Sequence, residues 1–286
     1  TLNAIHSEVD KYENYKVHYA IKANANPKIL NIICQSGFGA DCVSGGEINS
    51  AITVGFSASK IVYAGVGKSD WEINLGLDKE IFCFNVESIE EIKVINELAK
   101  KKNKIAKIAF RINPDIGAHT HVNIKTGLAE NKFGISITDI RKIIAQVALM
   151  ENIKVIGLHF HIGSQIIDMG DFIALCNRIN ELQDDLAQNH FLASHINVGG
   201  GLGINYEHPN REPIPNFHSY FDTYRRHLKL RNEQSLHFEL GRSIVGQCGS
   251  LITRVLYVKK GMHKQFIIVD AGMTDLIRPA LYQAYH

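Results

Sequence analysis

Residues 17–37 read VHYAIKANANPKILNIICQSG, and this stretch decides the expected fold. Its first six residues are rich in β-branched and aromatic side chains, which predicts a strand. A helix is predicted to follow, because Pro27 stands at its first position and Gly37 just beyond its last. A doubly wound dinucleotide-binding sheet usually carries a glycine-rich loop at this turn. The turn here, IKANANP, contains no glycine, which favours another α/β fold.

Strand-like runs of the same kind recur along the chain, with helical patterns between them. The helical pattern of residues 87–102, for example, places acids in its first turn and lysines in its last. Eight such strand–helix units predict a (β/α)8 barrel. The other runs are GADCVS (39–44), KIVYAG (60–65), IFCFNV (81–86), KIAFRI (107–112), VIGLHFHIG (155–163), HINVGG (195–200) and LHFEL (236–240).

The pattern changes after Gly241. Residues 250–260 and 264–273 read as successive strands with no helix between them, which predicts the beginning of a second, β-rich domain. We therefore expect a barrel over residues 1–245, with its first segment missing, and the start of a C-terminal β-domain over residues 246–286, with its remainder absent.

Composition excludes several classes of protein. The 286 residues carry a formal net charge of +2, so neither a nucleic-acid nor a membrane partner is predicted. No apolar run is long enough to span a bilayer. The five cysteines form no CxxC pair and are odd in number, which argues against a disulfide framework and a zinc site. They predict free thiols in a cytoplasmic protein.

Unusual residues stand at the carboxyl ends of the predicted strands, where barrel enzymes place their active sites. Taken singly, each has an ordinary explanation: a solvated lysine, a flexible glycine turn or a core histidine. Their convergence on one rim predicts a functional site. The residues are Lys22, Asp41, Ser44, Arg111, Asn113, His159, His161, Ser164, Gly199, Gly200, Gly201, Glu239 and Arg242.

Three of these features indicate a chemistry. A lysine in a barrel mouth is partly desolvated and becomes a Schiff-base nucleophile. The contiguous glycines 199–201 do not match GxGxxG, but they let backbone N–H groups approach a phosphate. His159 and His161 lack a third metal ligand or an HExxH motif, so we predict a ring stacked on a planar cofactor and no metal.

Several stretches, in this order, resemble the fold-type III pyridoxal-phosphate (PLP) enzymes, which include alanine racemase, ornithine decarboxylase and diaminopimelate decarboxylase. HIGSQ, the TG…KFG stretch and RPALYQAYH look specifically like the diaminopimelate decarboxylases. The matching stretches are YAIKANANP, GADCVSGGEI, KTGLAENKFGI, LHFHIGSQ, NVGGGLGINY, FELGRSIVG and VDAGMTDLIRPALYQAYH.

The resemblance implies a role for each candidate residue. Lys22 holds PLP covalently and His161 stacks on its ring, and these two are the implied catalytic residues. Glu239 faces the pyridine nitrogen, while substrate carboxylates bind to Arg242, Arg278 and Tyr282. The implied cofactor-binding residues are Lys22, Asp41, His161, Ser164, Gly199, Gly200, Gly201, Glu239, Gly241 and Arg242.

The resemblance also implies an activity: decarboxylation of meso-2,6-diaminopimelate to L-lysine and CO2, the last step of lysine biosynthesis. The implied assembly is a homodimer whose site is completed across the interface. Four alternatives stay open: a sister decarboxylase acting on carboxynorspermidine, arginine or ornithine, a racemase, a non-catalytic PLP-binding regulatory barrel, and a purely structural barrel.

Two departures from the family pattern affect these expectations. The family has Glu-Pro-Gly-Arg where this chain has Leu240 in place of the proline, and losing proline frees the backbone there. We expect weakened cofactor binding at most. The family's C-terminal segment, with its Cys-Glu motif and a tyrosine, has no counterpart here, so we expect little or no turnover from this chain alone.

Overall fold

A computed structural model of the chain describes residues 1–116 and 133–286. Eight parallel strands pair in succession, and the last pairs with the first, so the sheet closes into a barrel. Among the described residues, the short strand β6 pairs only with β5, and it lies outside the barrel. The predicted (β/α)8 barrel is therefore confirmed. The strands up to this closure are β1 (Tyr15–Ala20), β2 (Gly39–Cys42), β3 (Ile61–Tyr63), β4 (Cys83–Val86), β5 (Ala106–Asn113), β6 (Ile135–Ser136), β7 (Ile153–His159), β8 (His195–Asn197) and β9 (Ser235–Leu240).

Helices connect these strands, and their ends follow from the sequence. Pro27 opens α2, and the Asn26 side chain caps it by accepting a hydrogen bond from the N–H of Lys28 at 2.9 Å. Ser88 caps α5 in the same way. The helices are α1 (Leu2–Val9), α2 (Pro27–Gln35), α3 (Gly45–Val54), α4 (Asp70–Lys79), α5 (Ile89–Lys101), α6 (Ile140–Val147), α7 (Met169–Gln188), α8 (Phe217–His227), α9 (Arg242–Val245) and α10 (Arg278–Tyr282).

The interior of the barrel is layered, because alternate residues of each strand point inward. The layer at the amino ends of the strands is aromatic: Phe82 contacts the rings of His18, His195 and His237. Small side chains, including Val62, Cys83 and Ala109, pack together as a separate apolar cluster. The layer at the carboxyl ends is polar. The barrel thus places its buried polar groups where the site is predicted.

Residues after Gly246 form a separate antiparallel sheet of two strands, β10 (Val255–Lys260) and β11 (Gln265–Val269). The turn between them is closed by the N–H of Gly261, which donates to the carbonyl of Lys264 at 2.8 Å. Most side chains of this hairpin are exposed. The two predicted strands are therefore observed, while the division into two domains at residue 245 stays a prediction.

All five cysteines lie in the described part of the chain, and each is a free thiol. Cys42, Cys83 and Cys176 are buried, and Cys248 is exposed. As for membrane crossing, the search over residues 1–116 and 133–286 found no helix with the length and apolar character that a span requires.

Candidate active site

Two cavities open at the carboxyl ends of the barrel strands. One has a volume of about 600 Å³ and the other about 420 Å³. They share part of their walls, so they adjoin each other. The shared lining residues are Lys22, Asp41, His161 and Glu239. The larger cavity is also lined by other predicted site residues, namely Ser164, Gly201, Gly241, Arg242 and Tyr282.

Lys22 lies in a short 3-10 turn that follows β1, and its side chain is 54% exposed. Its Nζ atom lies 4.0 Å from Oδ2 of the buried Asp41. Parallel pairing explains the contact, because Ala20 of β1 is in register with Asp41 of β2. The lysine therefore presents an amine to the cavity beside a carboxyl group that water does not reach.

Asp41 and Glu239 are two buried carboxyl groups with opposite shifts in pKa. Burial and the charge of Glu239 raise the pKa of Asp41 to about 8 against the attraction of Lys22. Burial also acts to raise the pKa of Glu239. The neighbouring His159, His161 and Lys22 outweigh that effect and hold this pKa well below its ordinary value. The directions of the two shifts make Asp41 the member of the pair that keeps its proton to higher pH, and Glu239 the member that ionises first.

Three side chains hold the carboxylate of Glu239. Its Oε1 accepts hydrogen bonds from the amide nitrogens of Asn85 at 3.1 Å and Asn197 at 2.8 Å. Its Oε2 lies 3.0 Å from Nε2 of His159. The sequence analysis did not single out the two asparagines. The structure places them where Glu239 also lies, near the carboxyl ends of their strands, since Asn85 is the third residue of β4 and Asn197 is the last residue of β8.

The glycine run lies between His161 and β9. The N–H of Gly199 donates to Oδ1 of Asn197 at 2.9 Å, and that of Gly200 lies 3.5 Å from Nδ1 of His161. A Cβ on Gly200 would stand 1.9 Å from the carbonyl oxygen of Glu239, so close packing requires glycine there. Gly201 alone among the three lines the larger cavity.

His161 has the electrostatic character of a neutral ring. Burial, followed by the positive charges of Lys22 and Arg111, lowers its pKa well below the ordinary value for histidine. An uncharged imidazole against the cavity can pack on the face of a flat aromatic ligand.

Tyr206 contacts two arginines: Arg242, which lines the larger cavity with it, and Arg278, which lines a neighbouring cavity. Arg242 donates from Nε and Nη2 to Oγ of Ser164, both at 3.3 Å, and from Nη1 to the hydroxyl of Tyr206. The guanidinium carbon of Arg278 lies 3.8 Å from the centroid of the Tyr206 ring. Tyr206 was missed from the sequence because it lies in an irregular segment without periodicity.

The wall of the smaller cavity is held by buried ion pairs. Nζ of Lys68 donates to the carbonyls of Gly65 and Asn85 and, at 2.6 Å, to Oε1 of Glu91. Arg111, a predicted rim residue, donates to Oε1 of Glu87 at 2.8 Å. Two other rim residues have local roles in the structure. Ser44 caps α3, and Asn113 accepts a hydrogen bond from the N–H of Asp115.

Residues 2–246 match the family model described as "Pyridoxal-dependent decarboxylase, pyridoxal binding domain". The chain belongs to this family. The match covers the whole closed barrel and every lining residue that the two cavities share.

Individual relatives of this pyridoxal-dependent decarboxylase carry a more specific name. This chain is 71% identical over 286 residues to a diaminopimelate decarboxylase of Bacteroides thetaiotaomicron, and the alignment covers 100% of this chain and 74% of that protein. It is 42% identical to the diaminopimelate decarboxylase of Aquifex aeolicus, covering 97% and 67%. A crystal structure of diaminopimelate decarboxylase from Helicobacter pylori complexed with L-lysine superposes with a TM-score of 0.91 at 37% identity, covering 100% and 72%.

The cofactor of the family is PLP, and the residues of the site fit it. Oδ1 of Asp41 is buried and lacks a hydrogen-bond partner among the described residues. The same cavity is lined by the amine of Lys22, the carboxylate of Glu239, and Gly201, at which a side chain would be strained. A cavity of about 600 Å³ is within the usual range for a cofactor site.

Not every predicted residue reaches the cavities. Gly199 and Gly200 lie behind Gly201, and Arg278 lines a neighbouring cavity together with Tyr206. The stretch KTGLAENK, residues 125–132, lies outside the described residues. Within the described ranges, no cluster of three or more His, Cys, Asp or Glu side chains is arranged to hold a metal ion. Leu240, which replaces the family proline, is buried in register with Tyr19, and its effect on cofactor binding stays a prediction.

Proposed function

We propose that this chain carries out the PLP-dependent decarboxylation of meso-2,6-diaminopimelate to L-lysine and CO2. The observation that carries the proposal is the meeting of Lys22, Asp41 and Glu239 in one cavity, with Arg242 on its opposite wall. The names of the relatives support the same substrate, and the related structure from Helicobacter pylori contains L-lysine.

The residues that would hold PLP are Lys22, Asp41, His161, Ser164, Gly199, Gly200, Gly201, Glu239, Gly241 and Arg242. When bound, PLP supplies an electron sink for the pair released as the bond to the carboxylate breaks. Glu239, held by three side-chain donors, would stabilise a proton on a ring nitrogen placed against it. Oδ2 of Asp41 lies 4.0 Å from Nζ of Lys22, and the two would exchange a proton once the exposed lysine side chain moves within hydrogen-bond distance.

Substrate recognition is assigned to the arginine side of the cavity. We propose that Arg242, Arg278 and Tyr282 bind the substrate carboxylates, since guanidinium groups grip carboxylates bidentately. Tyr206 lies between the two arginines and keeps them apart. Diaminopimelate has a carboxylate at each end, whereas ornithine has only one, so two arginines favour the former.

The assembly and its location are also proposals. The chain corresponds to 74% of the length of its Bacteroides thetaiotaomicron relative. We propose a cytoplasmic homodimer in which the partner completes the site, and low turnover by residues 1–286 alone. The free thiols fit a reducing compartment. Light scattering coupled to size exclusion measures the oligomeric state directly, and a monomer would contradict the dimer.

The test of function begins with the absorption spectrum of the purified protein with PLP, before and after meso-diaminopimelate. Lysine and CO2 are assayed in the same samples. A visible band of bound cofactor together with lysine formation supports the decarboxylase. Parallel assays with L-arginine, L-ornithine and carboxynorspermidine separate it from the sister decarboxylases.

The same test on a longer chain that spans the full length of the relatives separates two further outcomes. A cofactor band with turnover only at full length supports the proposed completion of the site. A cofactor band without turnover at full length would favour a regulatory PLP-binding barrel. The absence of any band would contradict the cofactor site.

A further inference from the structure

The two buried carboxyl groups of the site are not equivalent in their contacts. Glu239 receives hydrogen bonds on both oxygens, whereas Asp41 has Lys22 at 4.0 Å on one oxygen and no partner among the described residues on the other. A negative charge shared by the pair is therefore stabilised by hydrogen bonds on Glu239 and poorly stabilised on Asp41. His159 makes the contact with Oε2 of Glu239, the oxygen that the two asparagines do not contact, and Asp41 has no counterpart of this contact among the described residues.

We propose that His159 is a positioning residue, which donates its Nε2 proton to Oε2 of Glu239 and so keeps Glu239 the ionised member of the pair. The proposal rests on the proposed function, because it assigns Glu239 to the ring nitrogen of the cofactor. It goes beyond that function by naming the group that prepares Glu239 for this role.

The other ring nitrogen of His159 decides which way the hydrogen bond runs. Nδ1 is buried and has no hydrogen-bond partner among the described residues. A proton on Nδ1 would leave a buried N–H donor without an acceptor, which structures seldom tolerate. The proton of a neutral His159 therefore lies on Nε2, 3.0 Å from Oε2 of Glu239, which is its hydrogen-bond partner among the described residues. Donation from His159 stabilises the ionised form of Glu239, because a carboxylate is a stronger hydrogen-bond acceptor than a protonated carboxyl group.

The remaining acceptor capacity of Glu239 points to the cavity. A carboxylate accepts about four hydrogen bonds. Asn85 and Asn197 use both positions on Oε1, and His159 uses one on Oε2. One position on Oε2 stays available, and Glu239 lines both cavities. A protonated ring nitrogen in the cavity is the complementary donor.

The position of His159 distinguishes this role from that of the other interior histidines. His18, His195 and His237 pack with Phe82 in the layer at the amino ends of the strands. A purely structural His159 would affect folding in the same way as they do. A positioning His159 affects the protonation of the bound ring as well.

The test uses a matched pair of substitutions. The side-chain amide of glutamine reaches the position of Nε2, whereas that of asparagine ends near Nδ1, so His159→Gln retains the donor and His159→Asn removes it. His195→Asn, in a buried histidine that does not contact Glu239, is the control for barrel stability. Each variant is loaded with PLP labelled with 15N in the ring. The readouts are the 15N chemical shift of the ring nitrogen, the dissociation constant of PLP, and the melting temperature.

We expect the wild type, His159→Gln and His195→Asn to show a protonated ring nitrogen and similar PLP affinity. We expect His159→Asn to shift the 15N resonance towards the unprotonated form and to weaken PLP binding about tenfold or more, as the loss of a charged hydrogen bond implies. A wild-type ring shift in His159→Asn, with or without weaker binding, would overturn the inference and leave the proposed function standing. Failure of the wild type to bind PLP would overturn both.

Discussion

The Nζ atom of Lys22 lies 4.0 Å from Oδ2 of Asp41, across two neighbouring strands whose register brings them together. Lys22 is half exposed while Asp41 is buried, so the amine can be reached from solvent and its partner cannot. The exposed amine of Lys22 and the buried carboxyl group of Asp41 each lead to a separate prediction.

Lys22→Ala is expected to abolish covalent attachment of PLP. The wild-type protein, treated with PLP and borohydride, should gain the mass of one reduced cofactor on the peptide that contains Lys22, because this amine faces the cavity. The exposed Lys28 offers a matched control, since Lys28→Ala removes a lysine outside the two cavities. A stoichiometric reduced adduct in Lys22→Ala would show that another lysine holds the cofactor.

Asp41→Asn is expected to change how stability depends on pH. The pKa of Asp41 is raised to about 8 in the folded protein, while an unfolded aspartate ionises near 3.9. Below pH 4 both states are protonated, and between pH 4 and 8 only the unfolded state ionises. The wild type therefore loses stability as pH rises through this window. The Asp41→Asn variant lacks this loss. Its free energy of unfolding relative to that of the wild type should therefore increase by a few kcal/mol, as an order of magnitude, as pH rises from 4 to 8.

Urea unfolding of the protein without cofactor at pH 5, 6, 7 and 8 measures this difference. Asp78→Asn is the control, because Asp78 is exposed beside Lys102, which lowers its pKa, and it stays ionised throughout this range. Its difference from wild type should be constant with pH. A constant difference for Asp41→Asn as well would mean that Asp41 is ionised in the folded protein.

Gly200→Ala is expected to disturb Glu239 without touching the cavity directly. The added Cβ would stand 1.9 Å from the carbonyl oxygen of Glu239, and overpacking of this kind costs about 1–3 kcal/mol. PLP affinity should fall about tenfold as Glu239 moves away from its three donors. Gly249→Ala adds a methyl group to open space and should change neither the free energy of unfolding nor the affinity for PLP. Equal PLP binding by both variants would show that Glu239 tolerates the displacement.

The sequence predicted the barrel and most of its rim because both depend on local patterns. Each strand is a short apolar run, and parallel strands bring their carboxyl ends to one edge. The contact of Asn85 with Glu239 spans 154 residues and crosses the interior of the barrel, so it depends on how the sheet closes. Periodicity along single strands contains no such information. Tyr206 was missed for a different reason, since it lies between strands and helices.

The buried histidines at the amino ends of the strands predict sensitivity to acid. Burial lowers the pKa of His18, His195 and His237, and that of His195 falls to about 3. Nδ1 of His18 donates to the carbonyl of Lys60, so its Nε2 must accept from Nδ1 of His237 at 2.8 Å. Protonation of His18 would place two donors face to face. The folded barrel therefore favours the neutral forms of these rings.

The direction of the effect follows from the lowered pKa values. An unfolded histidine takes up a proton near pH 6.5, while the folded His195 stays neutral down to about pH 3. Its contribution to stability is complete above pH 6.5 and is lost as pH falls towards 3. His195→Leu removes one of these groups. We expect the loss of unfolding free energy between pH 7 and pH 5 to become smaller by about 2 kcal/mol.

Urea unfolding at pH 7, 6 and 5 tests this, with His208→Leu as the control because His208 is exposed. The comparison uses the change with pH within each variant, so a constant loss of packing in His195→Leu does not affect it. If His195→Leu and wild type lose the same free energy between pH 7 and 5, His195 takes up its proton at the same pH in the folded barrel and in the unfolded chain. In that case the aromatic layer would contain a charged ring. The hydrogen-bond direction assigned to His18 and His237 would then have to be revised.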